Sequence, residues 1–329
     1  MKIDELTDVY QIEVPTPFAI GPVNVYLIKK EDQLLIVDAG VNTEEAWGTF
    51  LHKLEGLGFS TQNLKAIFLT HHHPDHTGFV SRLPHLPLYG HAKVVPWIEK
   101  DEAFLRRHEA HFKAISTKFG VPEPLLERFP SIDSYIKYSG FGRVTKIINE
   151  KTAIPGFEEW TVLETVGHAQ SHVSLFRKAD GCFIAGDAVL ERITSNALME
   201  SPYYEGDPVP KPLIQYRDTL KKCMGMPIKL ILPGHGSPFL FTKELFARKL
   251  RGQERRRAHL LTCLSKGLAT AYELAKTLFP EVYLTQLDLV LSEVQGHLDW
   301  LEEDGLIYPR VSDKGHVQYK LIKKGEVGT

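Results

Sequence analysis

The segment Thr-His-His-His-Pro-Asp-His-Thr-Gly carries candidate metal ligands at four spaced positions, His71, His73, Asp75 and His76. Imidazole is the commonest protein ligand for zinc and its neighbours, and carboxylates complete such sites. The apolar run 66–69 comes directly before the segment, so a buried strand is predicted to deliver these ligands into a loop at its end. Because neighbouring and alternate side chains leave a loop in different directions, this one segment could serve two metal ions.

Four other apolar runs along the chain also end in a polar residue that could bind or support a metal. They are 34–37 before Asp38, 161–166 before Gly167-His168, 182–185 before Gly186-Asp187, and 230–233 before Gly234-His235. Runs as apolar as these predict strands that are buried on both faces, so helices must cover both sides of the sheets. Ligands at strand ends sit on a rigid scaffold, while the loops carry the chemistry.

A centre with two metals needs two or three ligands for each ion and a group that both ions share. The predicted sets are His71, His73 and His168 for one ion, Asp75, His76 and His235 for the other, and Asp187 as the bridge between them. Two cations about 3.5–4 Å apart can activate one water as hydroxide and hold the oxygens of the reacting centre. We therefore predict that a bridging hydroxide attacks a carbonyl or phosphoryl group, with Asp75 and Asp187 as the catalytic carboxylates.

Together these residues resemble the metallo-β-lactamase superfamily. Its marks are a His-x-His-x-Asp-His loop followed, in order, by Gly-His, Gly-Asp and Gly-His, and this chain carries all four within about residues 10–240. The resemblance implies an α/β fold, the αββα sandwich, with the metals at one edge of two facing sheets. It also implies supporting roles for Asp38 and for His172, which would orient a ligand or the bridging aspartate.

Two positions narrow the chemistry within that resemblance. A glutamate in place of His73 would point to the oxygen-reducing diiron branch of the superfamily, so the histidine favours hydrolysis. Leu190 stands where lactonases of the superfamily often carry a tyrosine, three residues after the bridging aspartate. Lactone opening is therefore the less favoured reaction.

Two segments of the predicted catalytic domain, residues 1–240, are candidates for the walls of a substrate cleft. The first, about 96–140, is a helical insertion that is rich in charged and aromatic residues. The second, 191–212, is irregular and contains several prolines and tyrosines. Tyr203 and Tyr204, in the second segment, are the predicted substrate contacts.

Several residues near these motifs have simpler interpretations. His72 lies between two ligands, so its side chain should point away from them and serve a structural or surface role. His108 and His111 are three apart and suit one face of a helix, which favours an ordinary helix surface. Arg106 and Arg107 are predicted to lie on a solvated face of the same helix.

Residues 241–329 form a predicted C-terminal domain of three helices, at about 243–266, 270–279 and 284–304, followed by a hairpin over 306–321. This order resembles a winged helix, and with it the superfamily branch that contains a lactamase-beta-like endoribonuclease. Helix 284–304 has no lysine or arginine, and the whole domain has 14 Lys+Arg against 12 Asp+Glu, a balance of 14 − 12 = +2. A helix that enters a nucleic-acid groove needs cations. RNA binding is therefore possible but not favoured, and packing or homodimer formation is the predicted role.

Composition excludes several broad classes of protein. The chain of 329 residues has a formal net charge of −2, which does not indicate a general polyanion binder. No stretch is long and apolar enough for a membrane span, and the N-terminal residues lack the apolar core of a leader. Cys182, Cys223 and Cys263 are few and far apart, as expected of free thiols in a reducing cytoplasm.

The favoured function is hydrolysis of a small ester or thioester by a centre with two divalent metal ions, for which zinc is the favoured metal. Iron and manganese stay open, because sites of histidine and aspartate accept several metals. The alternatives are a metal-dependent endoribonuclease, a mononuclear iron dioxygenase acting on persulfides, and a non-enzymatic regulator that binds through the C-terminal domain.

Overall fold

Two mixed β-sheets form the centre of the molecule, in a computed structural model that describes residues 6–322. Residues 1–5 and 323–329 lie outside the described part, and with them the start of the predicted catalytic domain and the end of the predicted C-terminal domain. The first sheet has the order β1-β2-β3-β4-β5-β6, with β1 Val9–Val14, β2 Val23–Lys30, β3 Gln33–Val37, β4 Leu64–Phe68, β5 Leu88–Gly90 and β6 Lys146–Ile147. The second has the order β11-β10-β9-β8-β7, with β7 Trp160–Glu164, β8 Val173–Arg177, β9 Cys182–Gly186, β10 Leu230–Pro233 and β11 Phe239–Leu240.

Helices cover the sheets and form most of the remaining structure. They are α1 Glu44–Gly56, α2 Pro74–Thr77, α3 Val95–Ile98, α4 Glu102–Lys118, α5 Glu123–Leu126, α6 Ile132–Ile136, α7 Pro212–Met224, α8 Lys243–Leu264, α9 Ala271–Leu278 and α10 Leu287–Glu303. The third sheet, β12-β14-β13, consists of β12 Ala269–Thr270, β13 Ile307–Val311 and β14 Val317–Leu321. Thr43 caps α1 by accepting a hydrogen bond from a backbone N–H of its first turn, as Ser, Thr, Asp and Asn commonly do.

The apolar pattern of the strands explains the layered fold. Successive strand residues point to opposite faces. On β3, Leu35 packs between the two sheets in one core with Ile184 of β9, while its neighbour Ile36 packs on the other face with Phe50 of α1. On the outer face of the second sheet, Phe183 belongs to a core that it shares with α7 and α8. The chain is therefore an αββα sandwich, as the resemblance implied.

Strand direction decides where the strand ends meet. β3 and β4 run parallel, with Val37 opposite Phe68, so the residues that follow them emerge at one edge of the first sheet. β9 and β10 also run parallel, with Gly186 opposite Pro233, so their ligand-bearing turns emerge together as well. Of the predicted strands, β7 differs from the expectation of burial on both faces, because it lies at the edge of its sheet and leaves Thr161 exposed.

The C-terminal elements follow the predicted order of three helices and a hairpin. The helix predicted from residue 284 begins at Leu287, and Thr270 and Glu273 form a capping box at the start of α9. Gly296 of α10 lies so close to Leu213 of α7 that a Cβ at Gly296 would come within 2.6 Å of the Leu213 Cβ. The C-terminal helices thus pack directly on the catalytic part, while their classification as a winged helix stays a prediction.

Two further expectations concern cysteines and membranes. Cys182, Cys223 and Cys263 are all free thiols, and the first two are buried. Among residues 6–322, no helix has the length and apolar character needed to cross a lipid bilayer.

Candidate metal centre

The first predicted ligand set meets at the edge of the sheets. His71 and His73 follow β4, and His168 follows β7 in the facing sheet. His73 Nδ1 lies 3.0 Å from His71 Nε2 and 3.0 Å from His168 Nε2. These three buried nitrogens converge within 4.8 Å of one another, as the ligands of one cation would.

The second set lies beside the first. Asp75 and His76 belong to the single helical turn α2, which begins at Pro74. Proline suits the first helical position because it lacks an N–H, and an N–H at that position would have no partner within the helix. His235 follows β10, and its Nε2 lies 3.4 Å from Asp75 Oδ2. The ligand atoms of Asp75, His76 and His235 also lie within 4.8 Å of one another.

Asp187 connects the two sets. One carboxylate oxygen, Oδ2, is 3.5 Å from His168 Nε2 of the first set and 3.6 Å from His235 Nε2 of the second. The other oxygen, Oδ1, is 3.6 Å from His76 Nε2. All seven predicted ligands therefore meet at one place, with Asp187 between the two sets.

A hydrogen-bond network around Asp38 fixes the two histidines at its side of the centre. The Asp38 carboxylate accepts the backbone N–H of Thr70 at 2.7 Å and the Thr70 hydroxyl at 2.8 Å. Because that hydroxyl donates to Asp38, it must accept the proton of His71 Nδ1, 2.9 Å away, which leaves Nε2 with its lone pair toward the centre. His76 Nδ1 likewise donates to Asp38 at 2.7 Å.

Asp38 could itself be mistaken for a ligand, since its carboxylate lies close to His71 and His76. Its oxygens are already occupied by the three hydrogen bonds just described. Its backbone is in the left-handed region, with φ of 63°, a conformation that aspartate tolerates better than most residues. Asp38 therefore contacts His76 directly and His71 through Thr70, and its role in supporting ligands stays a prediction.

Backbone carbonyls accept hydrogen bonds from two more of the predicted ligands, His168 and His235. His168 Nδ1 donates to the carbonyl oxygen of Asn196 at 2.8 Å, and His235 Nδ1 donates to that of Pro22 at 2.7 Å. Each bond fixes the tautomer in which Nε2 is free to bind a metal. The sequence contained no signal for either carbonyl, because each contact joins distant parts of the chain.

His172 fixes the bridging aspartate through its backbone. Its Nε2 accepts the backbone N–H of Asp187 at 3.1 Å, so Nδ1 carries the proton and donates to the Thr165 hydroxyl at 2.8 Å. Thr165 contacts the Ser174 hydroxyl at 2.7 Å, which in turn donates to the carbonyl of Ala185. This buried chain connects His172 to the backbone of Asp187, and its orienting role stays a prediction.

Gly234 shows how tightly the centre is built. A Cβ on this residue would lie 2.1 Å from Asp187 Oδ1 and 2.8 Å from His76 Cε1. Both distances are shorter than any van der Waals contact, so only glycine fits beside the bridging carboxylate.

The electrostatics of the centre fit cations. Among the described residues, three polar atoms that face the centre are buried without a hydrogen-bond partner, namely His76 Nε2, His235 Nε2 and Asp187 Oδ1. Buried polar atoms are rarely left in that state unless an ion or ordered water completes them. Burial and the neighbouring imidazoles lower the pKa of His71 and His73 well below the usual range, so both rings are neutral donors. Burial also lowers the pKa of His76, but the carboxylates of Asp38, Asp187 and Asp75 outweigh it and raise that pKa to about 10.

A cavity of about 580 Å³ adjoins the first ligand set, with His73 in its wall. Trp97, Tyr135 and other residues of the insertion form one side of it, and residues 198–200 form another. The start of α10 completes the wall. The sequence did not predict that the C-terminal part contributes to this cavity.

The predicted substrate contacts Tyr203 and Tyr204 are not part of the cavity wall. Tyr203 is buried, where its hydroxyl accepts the Trp97 indole N–H at 2.9 Å and donates to Glu200 at 2.5 Å. Tyr204 is 60% exposed to solvent. Tyr203 thus supports two residues that do line the cavity, and neither tyrosine contacts it directly.

Two of the histidines given simpler interpretations also lie at the cavity. His72 belongs to neither ligand set, but it is buried, with its ring stacked on Trp97 at 4.2 Å. The prediction of an ordinary helix surface is wrong for His108, which bonds to the Ser201 hydroxyl and packs against Trp97. Its position on the inner face of α4 could not be inferred without knowing where the insertion folds.

Fold and centre together define a class: an αββα protein with a histidine and aspartate metal centre at the edge of its two sheets. The family model of the metallo-beta-lactamase superfamily matches residues 19–235 of the sequence. This chain belongs to that superfamily, and it is a metal-dependent hydrolase.

Relatives of similar length support the assignment. The chain is 35% identical to the probable metallo-hydrolase YqjP of Bacillus subtilis, over 91% of this chain and 94% of that protein. It is 29% identical to the probable metallo-hydrolase YflN of the same organism, over 65% of this chain and 81% of the relative.

A solved structure shares the fold over nearly the whole chain. The metallo-beta-lactamase family protein TTHA1429 from Thermus thermophilus superposes with a TM-score of 0.81 at 24% identity. The superposition covers 97% of this chain and 100% of that one, so the common fold includes the C-terminal elements.

Proposed function

We propose that this chain is a binuclear hydrolase that cleaves a small ester or thioester, with zinc as the favoured metal. The observation that carries the proposal is the position of Asp187, whose Oδ2 lies 3.5 Å from His168 and 3.6 Å from His235. A carboxylate between two complete sets of ligands is suited to shared coordination, since its two oxygens can serve different ions.

In the proposed hydrolysis, the residues of the centre have different roles. Bound in the two sets, divalent ions would supply a water nucleophile at neutral pH and polarise the scissile carbonyl. In the reaction, the water oxygen bonds to the acyl carbon, the bond to the ester oxygen or thioester sulfur breaks, and a proton passes to the leaving group. We assign to Asp75 the transfer of that proton from the attacking water to the leaving group. Asp75 lies beside His235, which also contacts Asp187.

The alternative functions have less support. For an endoribonuclease, α10 is the helix that would have to meet RNA, but it has no lysine or arginine and most of its residues are buried. For an iron dioxygenase, one ligand set would suffice, and the complete second set would lack a purpose. The free thiols support a cytoplasmic location for the protein. The packing of α10 on α7 supports a C-terminal part that stabilises the fold. Assembly as a homodimer stays part of the proposal.

Metal analysis and a substrate screen test the proposal. We expect about two divalent ions per chain, and hydrolysis of p-nitrophenyl or thioester substrates that a chelator abolishes and added zinc restores. Manganese and iron should be compared in the same reconstitution, because ligand type alone does not select among them. One iron per chain with oxygen consumption on persulfides, or degradation of single-stranded RNA without esterase activity, would contradict it.

A further inference from the structure

We propose that the cavity beside the metal centre binds an extended apolar acyl group. The substrate is then an ester or thioester of a medium-length acid whose chain carries no charged group. This inference rests on the proposed function, because it assumes that the scissile carbonyl lies at the metal end of the cavity. It adds the chemical class of the group that precedes that carbonyl.

The shape of the cavity supports an extended ligand. Its inner end lies at His73, a metal ligand that is 9% exposed, and at Trp97, which is 3% exposed. Its outer end lies among exposed residues of the insertion, including Ala110 and Glu127. The cavity therefore leads from solvent to the ligands, and its volume of about 580 Å³ is in the range of pockets for small molecules.

The wall of the cavity is mainly apolar along this path. The apolar side chains come from four separate parts of the chain and include Phe112, Phe129, Ile132, Leu198, Met199 and Leu289. Each methylene group that leaves water for such a wall contributes about 0.8 kcal/mol to binding. An acyl chain could therefore gain much of its affinity here, at a distance from the reacting bond.

Charge in the cavity disfavours anionic ligands. The four carboxylates in the wall are Glu109, Glu127, Glu200 and Asp288, against two cations, Arg106 and Lys113. Arg106 is already paired with Glu109 and Asp133. Even with Glu200 protonated, a phosphate, a second carboxylate or a nucleic acid would meet more carboxylates than cations in this wall, whereas a neutral acyl chain would not.

Tyr135 strengthens the placement of the carbonyl. Its ring lies 6.4 Å from the ring of His73, and it is one of the residues that line the cavity. A phenol hydroxyl beside the ligands can donate a hydrogen bond to a carbonyl oxygen. Such a group is suited to an ester oxygen, and it would be wasted on a wholly apolar ligand.

The test compares p-nitrophenyl acetate, butyrate and octanoate as substrates of the metal-loaded enzyme. We expect kcat/KM to rise by at least about tenfold from acetate to octanoate, since each buried methylene can contribute roughly threefold to fourfold. Ala110→Trp, which places an indole at the mouth, should lower the octanoate-to-acetate ratio at least about fivefold. Ala103→Trp is the matched control, because Ala103 is exposed on the same helix, lies outside the cavity wall and should keep the wild-type ratio.

A binding measurement separates this inference from the proposed function. Calorimetry on metal-free protein should detect 2-nonanone, a ketone that keeps the octanoyl chain, but not 2-butanone, and Ala110→Trp should weaken the binding. Equal rates on all three esters, with no binding of 2-nonanone, would overturn the acyl cavity and leave the hydrolase standing. Binding of 2-nonanone without hydrolysis of any ester or thioester would support the cavity and refute the proposed reaction.

Discussion

The metal centre and the acyl cavity touch at His73, but they are built differently. In the centre, four histidines have their second ring nitrogen held by a hydrogen bond, and the ligands follow strands of the two sheets. The cavity wall comes from the insertion, a loop and α10, and most of it is apolar. Reaction chemistry thus depends on strand ends that the sheets fix, whereas substrate choice depends on helices added around them. The predictions below test each part of that division.

The largest effect should come from Asp187→Ala, which removes the group shared by both ligand sets. We expect loss of both ions and a fall in kcat/KM of at least about 10³-fold, because ligands and preorganised charge are lost together. Elemental analysis and ester hydrolysis measure the two effects. Asp218→Ala, at an aspartate whose side chain is 67% exposed on α7, is the control and should behave as wild type. Two ions and full turnover in Asp187→Ala would refute the bridging assignment.

Gly234→Ala should follow, because the added Cβ would lie 2.1 Å from Asp187 Oδ1 and displace the bridging carboxylate. We expect kcat/KM to fall by roughly 10²-fold, as for other small misplacements of catalytic groups. The matched control is Gly56→Ala, at a helical glycine where no atom lies within 4 Å of the added Cβ. Wild-type activity in Gly234→Ala would show that the centre can rearrange to accept the added methyl group.

Asp38→Asn tests the support of the ligands without removing one. Asparagine tolerates the left-handed backbone at this position, so the fold should persist. The amide cannot accept all three hydrogen bonds from Thr70 and His76, and we expect metal affinity to fall about 10-fold to 100-fold. Competition with a chelator measures this loss, with Asp32→Asn at the exposed turn before β3 as the control. Unchanged affinity would mean that the sheets alone hold the histidines.

The smallest effect concerns Glu200 and the pH dependence of stability. Burial raises the pKa of Glu200 from 4.5 to about 7, against the opposing contributions of Tyr203, the Gln170 backbone and Lys93. Between these values the folded chain holds a proton that the unfolded chain has released, so the free energy of unfolding falls as pH rises from about 4.5 to 7. Glu200→Gln removes this term, and its stability relative to wild type should therefore increase by about 2–3 kcal/mol from pH 5 to pH 8.

Urea unfolding of metal-free protein at the two pH values measures that difference. Glu205→Gln, at an exposed glutamate of the same loop, is the control and should show no change with pH relative to wild type. A constant difference between Glu200→Gln and wild type would mean that the Glu200 carboxyl is ionised throughout, and that the inner cavity is better solvated than its burial indicates.

Sequence patterns predicted the candidate ligands better than they predicted the residues that pack around them. The ligand-bearing runs were visible because buried strands are continuously apolar and the ligands follow them directly. The short strands β5, β6 and β11 carried no such signal, since two or three residues cannot show a period. The role of His108 was missed for a related reason, because a helical face shows its spacing but not what packs against it.

By itself, the sequence predicted the seven candidate ligands, the order of the elements and the family, because these depend on residue type and local spacing. Tertiary structure alone decided that the carbonyls of Pro22 and Asn196 accept hydrogen bonds from His235 and His168, and that α10 lines the cavity. Each of these is a contact between residues far apart along the chain. Such contacts are set by how sheets and helices pack, and no local pattern records them.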